Sequence, residues 1–336
     1  MDLAYAHDFV LSSLLLLLTS AQTSSAQLEE VPTDLTLGFY NNICPNVEQL
    51  VRSAVVKKFQ ETFATAPATL RLFFHDCFVQ GCDASILLAS PNGQAEKDNP
   101  INLSLAEDGF DTVIQAKAAV DSDPQCTNKV SCADILALAT RDVINLTGGP
   151  FYNVELGRRD GRISTIANVE DHLPQHYFNL DQLISTFSSN GLSLVEMIPI
   201  YGAHTIGRAH CNVMSKRIYN FSTTNRIDPT LNLQYATQLR QECPLGVDPR
   251  IAVDMDPVTP QRFDNQYFKN LQQGMGPSTS DQVMFTDERS KDLVNLYASN
   301  EEAFRSAFVD AITKMGRINV KTGNQGEIRI DCSKVN

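Results

Sequence analysis

Apolar residues recur with the 3.6-residue period of an α-helix along most of the chain, and this pattern limits the possible folds more than any other feature. Alternating runs rich in Val, Ile and Tyr, which are typical of strands, are scarce. The stretch 156–177 has the weakest periodicity, and we expect it to join two helical lobes with a cofactor cleft between them. The sequence therefore predicts a mainly α fold, with helices over 47–64, 68–78, 109–120, 132–148, 179–190, 194–203, 229–242, 264–272, 290–299 and 301–316.

The composition is that of a globular protein with an acidic surface. Of its 336 residues, 43% are hydrophobic and 20% are charged, and the length suffices for one large domain or two packed lobes. The 39 acidic side chains outnumber the 27 Lys and Arg, which gives a formal net charge of -12. Such a charge repels phosphate backbones and anionic lipid surfaces, so we expect neither nucleic acid nor a membrane as a partner.

The N-terminus predicts export from the cell. Residues 9–18 form an apolar run that is too short to span a bilayer, and small residues follow it up to Ser24-Ser25-Ala26. We interpret residues 1–26 as a secretory signal peptide and residues 27–336 as the mature domain. The first eight residues contain Asp2 and Asp8 but no Lys or Arg, which departs from the positive region usual in such peptides.

Eight cysteines are spread along the chain without any C-x-x-C pair, an arrangement that favours disulfides over a structural zinc site. In the oxidising environment that follows export, eight thiols can form four disulfides. The spacing alone leaves all of the roughly one hundred possible pairings open.

One predicted helix places cationic side chains on an apolar face. Arg71, Phe74, His75 and Phe78 lie at positions i, i+3, i+4 and i+7, so they share that face. A core histidine beside an arginine that extends to solvent would explain this face without any function. A pair of active-site residues explains it equally well, and the segment alone leaves both interpretations open.

Oxygen donors cluster around a glycine turn directly after this helix. The cluster consists of Asp76, Val79, Gly81, Asp83 and Ser85. Side-chain and carbonyl oxygens at such short range suit Ca²⁺, although the spacing is not that of an EF-hand loop. A solvated turn is the alternative that this spacing leaves open.

Ten short motifs occur in a fixed order along the chain. They are RLFFHDCF, GCDAS, EKD, VSCADILALA, GGP, LGRRD, GAHTIG, FDN, SDQ and QGEIR-x-DC. With these motifs the chain resembles the secreted plant haem peroxidases of class III from about residue 37 to residue 332. The resemblance implies an all-helical, two-lobed fold with one haem b group between a distal and a proximal lobe. Composition and spacing do not themselves reveal haem, because a single histidine ligand has no sequence signature.

The resemblance implies roles for the matching residues around the haem. His204 would be the axial ligand of the iron, and Asp281 would accept a hydrogen bond from its other ring nitrogen. On the opposite side, His75 would act as acid and base, while Arg71 would stabilise charge on the departing oxygen. The remaining residues are Phe74, which would shield the haem, Asn102, which would bond His75, Glu96, which would link that side to a calcium ion, and Pro174, which would hold aromatic donors.

The resemblance also implies two calcium ions and a pattern of disulfides. The first ion would be bound by Asp76, Val79, Gly81, Asp83 and Ser85, with Val79 and Gly81 contributing backbone carbonyls. The second would be bound by Thr205, Asp256, Thr259, Asp264 and the backbone carbonyl of Arg262. The implied disulfides are Cys44–Cys126, Cys77–Cys82, Cys132–Cys332 and Cys211–Cys243.

The implied activity is the reduction of hydrogen peroxide coupled to one-electron oxidation of small phenolic donors, as in the response to oxidative stress and in cell-wall phenolic and lignin metabolism. The resemblance implies a monomeric glycoprotein secreted to the cell wall. The chain ends four residues after Cys332, without the extension of vacuolar relatives, which favours the same destination. Of the three glycosylation sequons, at Asn102, Asn145 and Asn220, we favour Asn220 as the glycan acceptor.

Two segments depart from the family's usual pattern, and both flank the proximal ligand. Pro199 and Tyr201 stand where small residues are common, and Pro199 removes a helical N–H donor. Pro277 and Ser278 stand where Leu and Phe are usual before Asp281, so we expect weaker packing there, altered redox tuning and weaker haem retention. These changes motivate an alternative function, a secreted haem-poor homologue that serves as a wall-binding or structural protein.

Overall fold

The structure, a computed structural model, describes residues 35–336, so the predicted signal peptide lies outside the described residues. In this part of the chain nearly all regular structure is helical, which confirms the predicted mainly α fold class. Two short strands, β1 (Arg208–His210) and β2 (Ala252–Asp254), form an antiparallel pair. The helices are α1 (Val47–Glu61), α2 (Thr65–Phe78), α3 (Glu107–Asp121), α4 (Cys132–Leu146), α5 (Leu180–Ser189), α6 (Leu194–Tyr201), α7 (Cys211–Tyr219), α8 (Leu233–Glu242), α9 (Gln266–Gln272), α10 (Thr279–Thr286), α11 (Glu288–Ser299) and α12 (Glu301–Met315).

The apolar period predicts ten of these helices, with ends that agree to within a few residues. It misses α7 and α10, which are nine and eight residues long. Helices of about two turns offer too few positions for a 3.6-residue period to stand out. Both begin where other constraints act, because Cys211 starts α7 within a disulfide and Ser278 caps α10 through its side chain.

Two groups of helices position the site. α1 to α4 pack on one another, and we call them the distal group. α6 and α9 to α12 pack on one another with α5 beside them, and we call them the proximal group. The connection over residues 147–179 is described throughout and contains a 3-10 turn at Ile166–Val169 but no α-helix, in agreement with its weak periodicity.

One continuous cluster of buried apolar side chains runs through both groups. In the proximal group, the rings of Phe263, Phe304 and Phe308 contact one another at centroid distances of 4.7–6.0 Å, and burial of each ring contributes roughly 2–3 kcal/mol to folding. Gly202 lies directly against this cluster, because a Cβ atom there would be 2.5 Å from the Phe304 ring. Only glycine therefore allows the turn after α6 to pack so closely.

Four disulfides crosslink the described chain over separations of 5 to 200 residues, and they pair the eight cysteines as the resemblance implies. Cys132–Cys332 spans 200 residues and ties the C-terminal segment to the start of α4. Each such crosslink typically contributes about 2–4 kcal/mol by restricting the unfolded chain. Within the described residues, no helix has both the length and the apolarity that crossing a membrane requires.

Candidate active site

Helix α2 carries Arg71, Phe74 and His75 on one face, as its sequence spacing predicts. His75 is buried, with 5% of its surface exposed, whereas Arg71 and Phe74 are partly buried. The Phe74 ring stacks on Phe78 at 4.1 Å and also contacts Phe187 of α5 at 6.0 Å. On this face, apolar groups therefore surround Arg71 and His75, the two side chains that can carry a positive charge.

The orientation of His75 is fixed by Asn102. The Nδ1 atom of His75 lies 2.7 Å from Oδ1 of Asn102, and Nδ2 of Asn102 donates to the backbone carbonyl of Glu96 at 2.8 Å. Because the amide nitrogen is used in the second contact, the amide oxygen must face the imidazole, and Nδ1 must carry the proton. The Nε2 atom of His75 then keeps its lone pair and can accept a proton.

Burial controls the charge of both ionisable groups on the distal side. Desolvation lowers the pKa of His75 to about 3, with a further contribution from the positive charge of Arg71, so the imidazole is neutral near pH 7. Desolvation also lowers the pKa of Arg71 to about 10, which still leaves it cationic. The guanidinium donates to the carbonyl of Ser104 at 2.7 Å and to its Oγ at 2.9 Å.

On the proximal side, His204 lies on a tight 3-10 turn, Gly202–Thr205, that continues α6. Pro199 is accommodated inside α6, where its missing N–H removes one helical hydrogen bond two residues before the helix ends at Tyr201. The Nδ1 atom of His204 lies 2.7 Å from Oδ1 of Asp281. The His204 side chain is 37% exposed while the Asp281 side chain is fully buried, so the ring extends outward from a buried carboxylate.

Asp281 is held by several donors at once. The Tyr267 hydroxyl donates to Oδ1 at 3.0 Å, the backbone N–H of Ser278 donates to Oδ2 at 3.1 Å, and the Ser278 hydroxyl donates to Oδ2 as well. Burial alone would raise the pKa of Asp281, but His204 and the Ser278 donors together hold it below its usual value. Ser278 thus supplies this carboxylate with a side-chain donor, which the Phe usual at this position in the family cannot do.

A row of aromatic rings connects the two sides. Phe187 of α5 contacts Phe74 at 6.0 Å and Tyr201 at 5.9 Å, and Tyr201 contacts the ring of His204 at 5.3 Å. The face of α2 that bears His75 and the turn that bears His204 are thus connected through two rings, Phe187 and Tyr201. Tyr201, which stands where the family commonly has a small residue, is buried in this row.

The first predicted calcium set forms a compact group of buried oxygens. Asp76 Oδ2 accepts from the backbone of Ala84 at 2.9 Å, and Ser85 Oγ donates to Oε2 of Glu96 at 3.2 Å. Oε1 of Glu96 is buried without a partner among the described residues. Burial raises the pKa of Glu96 to about 9, and the charges of Asp76 and Asp83 add to this effect. Such mutual repulsion is what a bound cation would relieve.

The remaining members of the first set surround that group. Val79 is the buried residue directly after α2, and Gly81, two residues further on, has a φ of 109°, in the region that favours glycine. Asp83 is buried, and the Lys321 ammonium lies 2.5 Å from its Oδ2. This lysine supplies one positive charge to a region that contains three buried carboxyl groups, Asp76, Asp83 and Glu96.

The second predicted calcium set brings five oxygen donors together. The Oγ1 atom of Thr205 lies 3.3 Å from Oδ2 of Asp256, 3.3 Å from Oδ1 of Asp264 and 3.4 Å from the carbonyl of Arg262. Thr259 Oγ1 lies 2.9 Å from the same Asp256 oxygen and 3.2 Å from the same Asp264 oxygen. Each hydroxyl has one proton but faces two or three acceptors, so it can donate to only one of them at a time. A cation that binds oxygen could contact all five donors at once.

Both oxygen sets mix carboxylates with hydroxyl or carbonyl groups. In line with this, the described chain has no group of three or more His, Cys, Asp and Glu side chains that could hold a metal on their own. Each set also adjoins a histidine of the site, because Asp76 follows His75 and Thr205 follows His204. A cation bound at either set would therefore lie next to a histidine of the site.

Pro174 is half-buried, and the residue that follows it, Gln175, lines a surface cleft of about 510 Å³. The cleft wall combines apolar with polar and acidic side chains, contributed by Asn99, Pro100, Ile101, Ile166, Ala167, Val169, Glu170, Asp171 and Gln175. Ile101 adjoins Asn102, the partner of His75. The cleft is therefore open to solvent on one side and close to the distal hydrogen-bond network on the other.

Sequence reasoning missed two residues of the site, Ser104 and Tyr267, and it missed the contact of Ser278 with Asp281. Ser104 and Tyr267 contact residues 33 and 14 positions away, so no local pattern identifies them. Ser278 does have a local signal, because Ser-x-x-Asp is the pattern of a helix N-cap that pairs with its third helical residue. That pattern predicts both the start of α10 and the contact between Ser278 and Asp281.

Comparisons with known proteins agree with this geometry. A family model described as peroxidase matches residues 51–300. Peroxidase 45 of Arabidopsis thaliana is 64% identical over 327 residues, which cover 97% of this chain and 98% of the relative. Peroxidase 16 of the same plant is 67% identical over 302 residues, covering 90% and 93%. Peroxidase 51 is 57% identical over 330 residues, covering 97% and 98%.

Proposed function

This chain belongs to the peroxidase family and is a peroxidase, and from that premise we propose that it reduces hydrogen peroxide at one haem b group and oxidises phenolic donors. The observation that carries the proposal is the pair of histidines whose Nδ1 atoms each lie 2.7 Å from a buried partner, Asn102 for His75 and Asp281 for His204. In both residues Nε2 makes no hydrogen bond to any described residue. One Nε2 is suited to a proton and the other to a metal ion.

The residues fit a haem group on the proximal side. His204 extends a partly exposed ring from a buried, hydrogen-bonded carboxylate, which is the usual support for a metal-bound imidazole. Its Nε2 would bind the iron, and Phe74 would cover the opposite face. When bound, haem supplies the redox chemistry that accepts two electrons in total from two donor molecules and passes them to peroxide.

On the distal side, His75 moves a proton within hydrogen peroxide. Its neutral Nε2 accepts the proton of one peroxide oxygen and then gives it to the other oxygen, which leaves as water. Asn102 holds the ring in the tautomer that this requires, and Arg71 provides a fixed positive charge beside the oxygen that gains electrons. In the complete reaction one peroxide and two phenols give two waters and two phenoxyl radicals.

Peroxidases of this family bind calcium, and we propose two calcium ions in this chain. The first would be held by Asp76, Asp83, Ser85 and the carbonyls of Val79 and Gly81, with Glu96 connecting it to Asn102. The second would be held by Thr205, Asp256, Thr259, Asp264 and the carbonyl of Arg262. The unpartnered Glu96 oxygen and the excess of acceptors around Thr205 support these assignments.

Small phenols would bind in the cleft beside Pro174, where apolar side chains can contact an aromatic ring close to the distal side. We further propose secretion to the cell wall after removal of residues 1–26, and roles in the response to oxidative stress and in phenolic or lignin metabolism there. Four disulfides suit that oxidising environment. Asn220, which is exposed, is the preferred glycan site, whereas Asn102 is buried.

The mature chain, residues 27–336, would act as a monomer and a single structural unit. Its excess of acidic side chains argues against nucleic acid and anionic membranes as partners. Hydrogen peroxide and small phenols are then its partners.

Absorbance spectroscopy of the secreted protein, combined with a guaiacol assay, tests the proposed function. A Soret band at one haem per chain together with peroxide-dependent oxidation of guaiacol is the expected result. A folded protein that does not take up added haem would refute the proposal and support the haem-poor wall protein. Metal analysis of the same sample should find two calcium ions per chain.

A further inference from the structure

Ser278 contacts the buried carboxylate that supports His204 at two points. Its backbone N–H and its hydroxyl both donate to Oδ2 of Asp281, while His204 and the Tyr267 hydroxyl contact Oδ1. Ser278 is 2% exposed and Asp281 is fully buried, so water does not compete for these contacts. The carboxylate is thus shared among His204 and three other donor groups.

The position of Ser278 is fixed from the other side by a second buried network. Its carbonyl accepts from Nη1 of Arg217 at 3.0 Å, and Nε of Arg217 is paired with Asp228 at 2.7 Å. The preceding residue, Pro277, is buried and restricts the backbone where the chain enters α10. Ser278 therefore has little freedom to turn away from Asp281.

Hydrogen bonds to Asp281 determine how strongly it can draw the proton of His204. A carboxylate with no other donors pulls strongly on the Nδ1 proton and makes the imidazole electron-rich. Each additional donor takes up part of the negative charge, so the pull on Nδ1 weakens and the ring gives less electron density to a bound metal. Weaker donation favours the reduced, ferrous state over the ferric state.

We propose that Ser278 is a positioning residue that raises the reduction potential of the bound haem iron by donating its hydroxyl proton to Asp281. This inference rests on the proposed function, since it requires His204 to be the iron ligand. It assigns a consequence to the replacement of an apolar residue by serine at this position: the substitution tunes the iron and does not merely lose packing.

The alternative is that Ser278 is only the N-cap of α10, since Oγ also accepts from the backbone N–H of Asp281 at 3.1 Å. Loss of a cap lowers the stability of the helix and of the fold. A cap alone has no means of changing the iron. Asn179 offers a matched control, because it caps α5 with the same reciprocal pattern to Gln182 at 3.0 Å in both directions and does not contact Asp281.

The experiment compares the haem-loaded wild type with Ser278→Ala, Ser278→Thr and Asn179→Ala. Spectroelectrochemistry gives the ferric/ferrous midpoint potential, resonance Raman gives the iron–histidine stretch, and thermal melts give stability. For Ser278→Ala we expect the equilibrium constant for reduction to fall by about threefold to tenfold, where tenfold is 59 mV for one electron. The iron–histidine frequency should rise in parallel. Ser278→Thr keeps the hydroxyl, so both values should match those of the wild type.

Asn179→Ala should lower thermal stability as Ser278→Ala does and leave the potential at the wild-type value. An unchanged potential in Ser278→Ala, or an equal shift in Asn179→Ala, would overturn the inference. The proposed function fails in a different way: the wild type itself would show no iron–histidine stretch, or His204→Ala would keep the wild-type spectrum.

Discussion

The two histidines of the site have the same side chain and differ in the group that Nδ1 contacts. On the distal side His75 meets the neutral amide oxygen of Asn102, and on the proximal side His204 meets the carboxylate of Asp281, both at 2.7 Å. The amide fixes a tautomer without adding charge, so His75 remains a neutral base. The carboxylate strengthens the imidazole as a metal ligand. In the proposed function, the partner of Nδ1 thus decides whether the ring moves a proton or binds iron.

Burial reinforces this difference. The distal ring is enclosed, and both desolvation and the charge of Arg71 keep its pKa low, at about 3. The proximal ring is partly exposed above a buried anion whose pKa is held below its usual value mainly by His204 itself, against the effect of burial. One histidine is therefore kept from acquiring charge, while the other is paired with a charge that persists.

The largest effects should come from removing each ring. His204→Ala removes the only protein ligand that we assign to the iron, so haem should be lost or held with an altered spectrum. His75→Ala should keep the ferric Soret band and slow the reaction with peroxide by about 10²- to 10⁴-fold, because a positioned acid and base is gone. Stopped-flow absorbance measures both proteins.

The opposite result for either variant would contradict the assigned difference between the two histidines. A His75→Ala protein that reacts with peroxide at the parental rate contradicts the distal assignment. A His204→Ala protein with an unchanged spectrum contradicts the proximal one.

Replacing the amide partner of His75 by a carboxylate tests directly whether the Nδ1 partner controls the charge of the ring. Asn102→Asp gives His75 a carboxylate neighbour, and an adjacent negative charge raises a histidine pKa by about 1–3 units. Because only the neutral ring accepts a proton, the acidic limb of the pH–rate profile should move to higher pH by that amount. The rate of the peroxide reaction should then fall more at pH 5 than at pH 7.

Asn99→Asp is the matched control, since it adds the same charge in the same loop at a residue whose amide donates to Ile166 instead. A limb that stays in place for Asn102→Asp, or that moves equally in both variants, would show that the contact with Asn102 does not control His75.

The distal half of the site follows from sequence more directly than the proximal half. Arg71, Phe74 and His75 lie within one helix, so a 3.6-residue period by itself places them on one face. Asp281 reaches His204 from 77 residues away, on a helix of eight residues that shows no clear period. Family motifs supply this pairing, whereas composition and periodicity do not.

Family motifs do not explain the positions at which this chain differs from the family. Comparison with the family's usual Leu and Phe suggests that Pro277 and Ser278 weaken the proximal side. The physical outcome depends on whether a serine hydroxyl reaches a buried carboxylate, which is a matter of tertiary geometry. Similarly, the N–H donor that Pro199 lacks suggests a disturbed α6, yet the helix continues for two residues and the 3-10 turn then presents His204.

Calcium removal should affect the two sides in different ways. Saturating calcium at a hundred times its dissociation constant stabilises the fold by about 2.7 kcal/mol per site, so chelation should lower the melting temperature and activity together. Asp76→Asn should weaken calcium binding at the site beside His75 and slow the peroxide reaction, with little change in the haem spectrum. Asp256→Asn should weaken calcium binding at the site that includes Thr205, and it should alter the haem spectrum before it alters the rate.

Calorimetry and stopped-flow measurements before and after chelation test this separation. Exhaustive removal of calcium that leaves both stability and activity unchanged would refute the structural role of the ions. Identical effects of the two variants on rate and spectrum would show that the two sides are not independently supported.

The smallest effect should come from Ser104, which acts on the distal side only through Arg71. Arg71 donates to Oγ of Ser104 at 2.9 Å and to its carbonyl at 2.7 Å, so Ser104→Ala removes one contact and keeps the other. We expect the peroxide reaction to slow by about twofold to tenfold, against about 10²- to 10³-fold for Arg71→Ala, because the charge stays near its place. In the double variant the loss should equal that of Arg71→Ala alone, since a residue that only positions another has nothing left to position. Stopped-flow rates of the four proteins complete the cycle, and losses that simply multiply would mean that Ser104 contributes independently of Arg71.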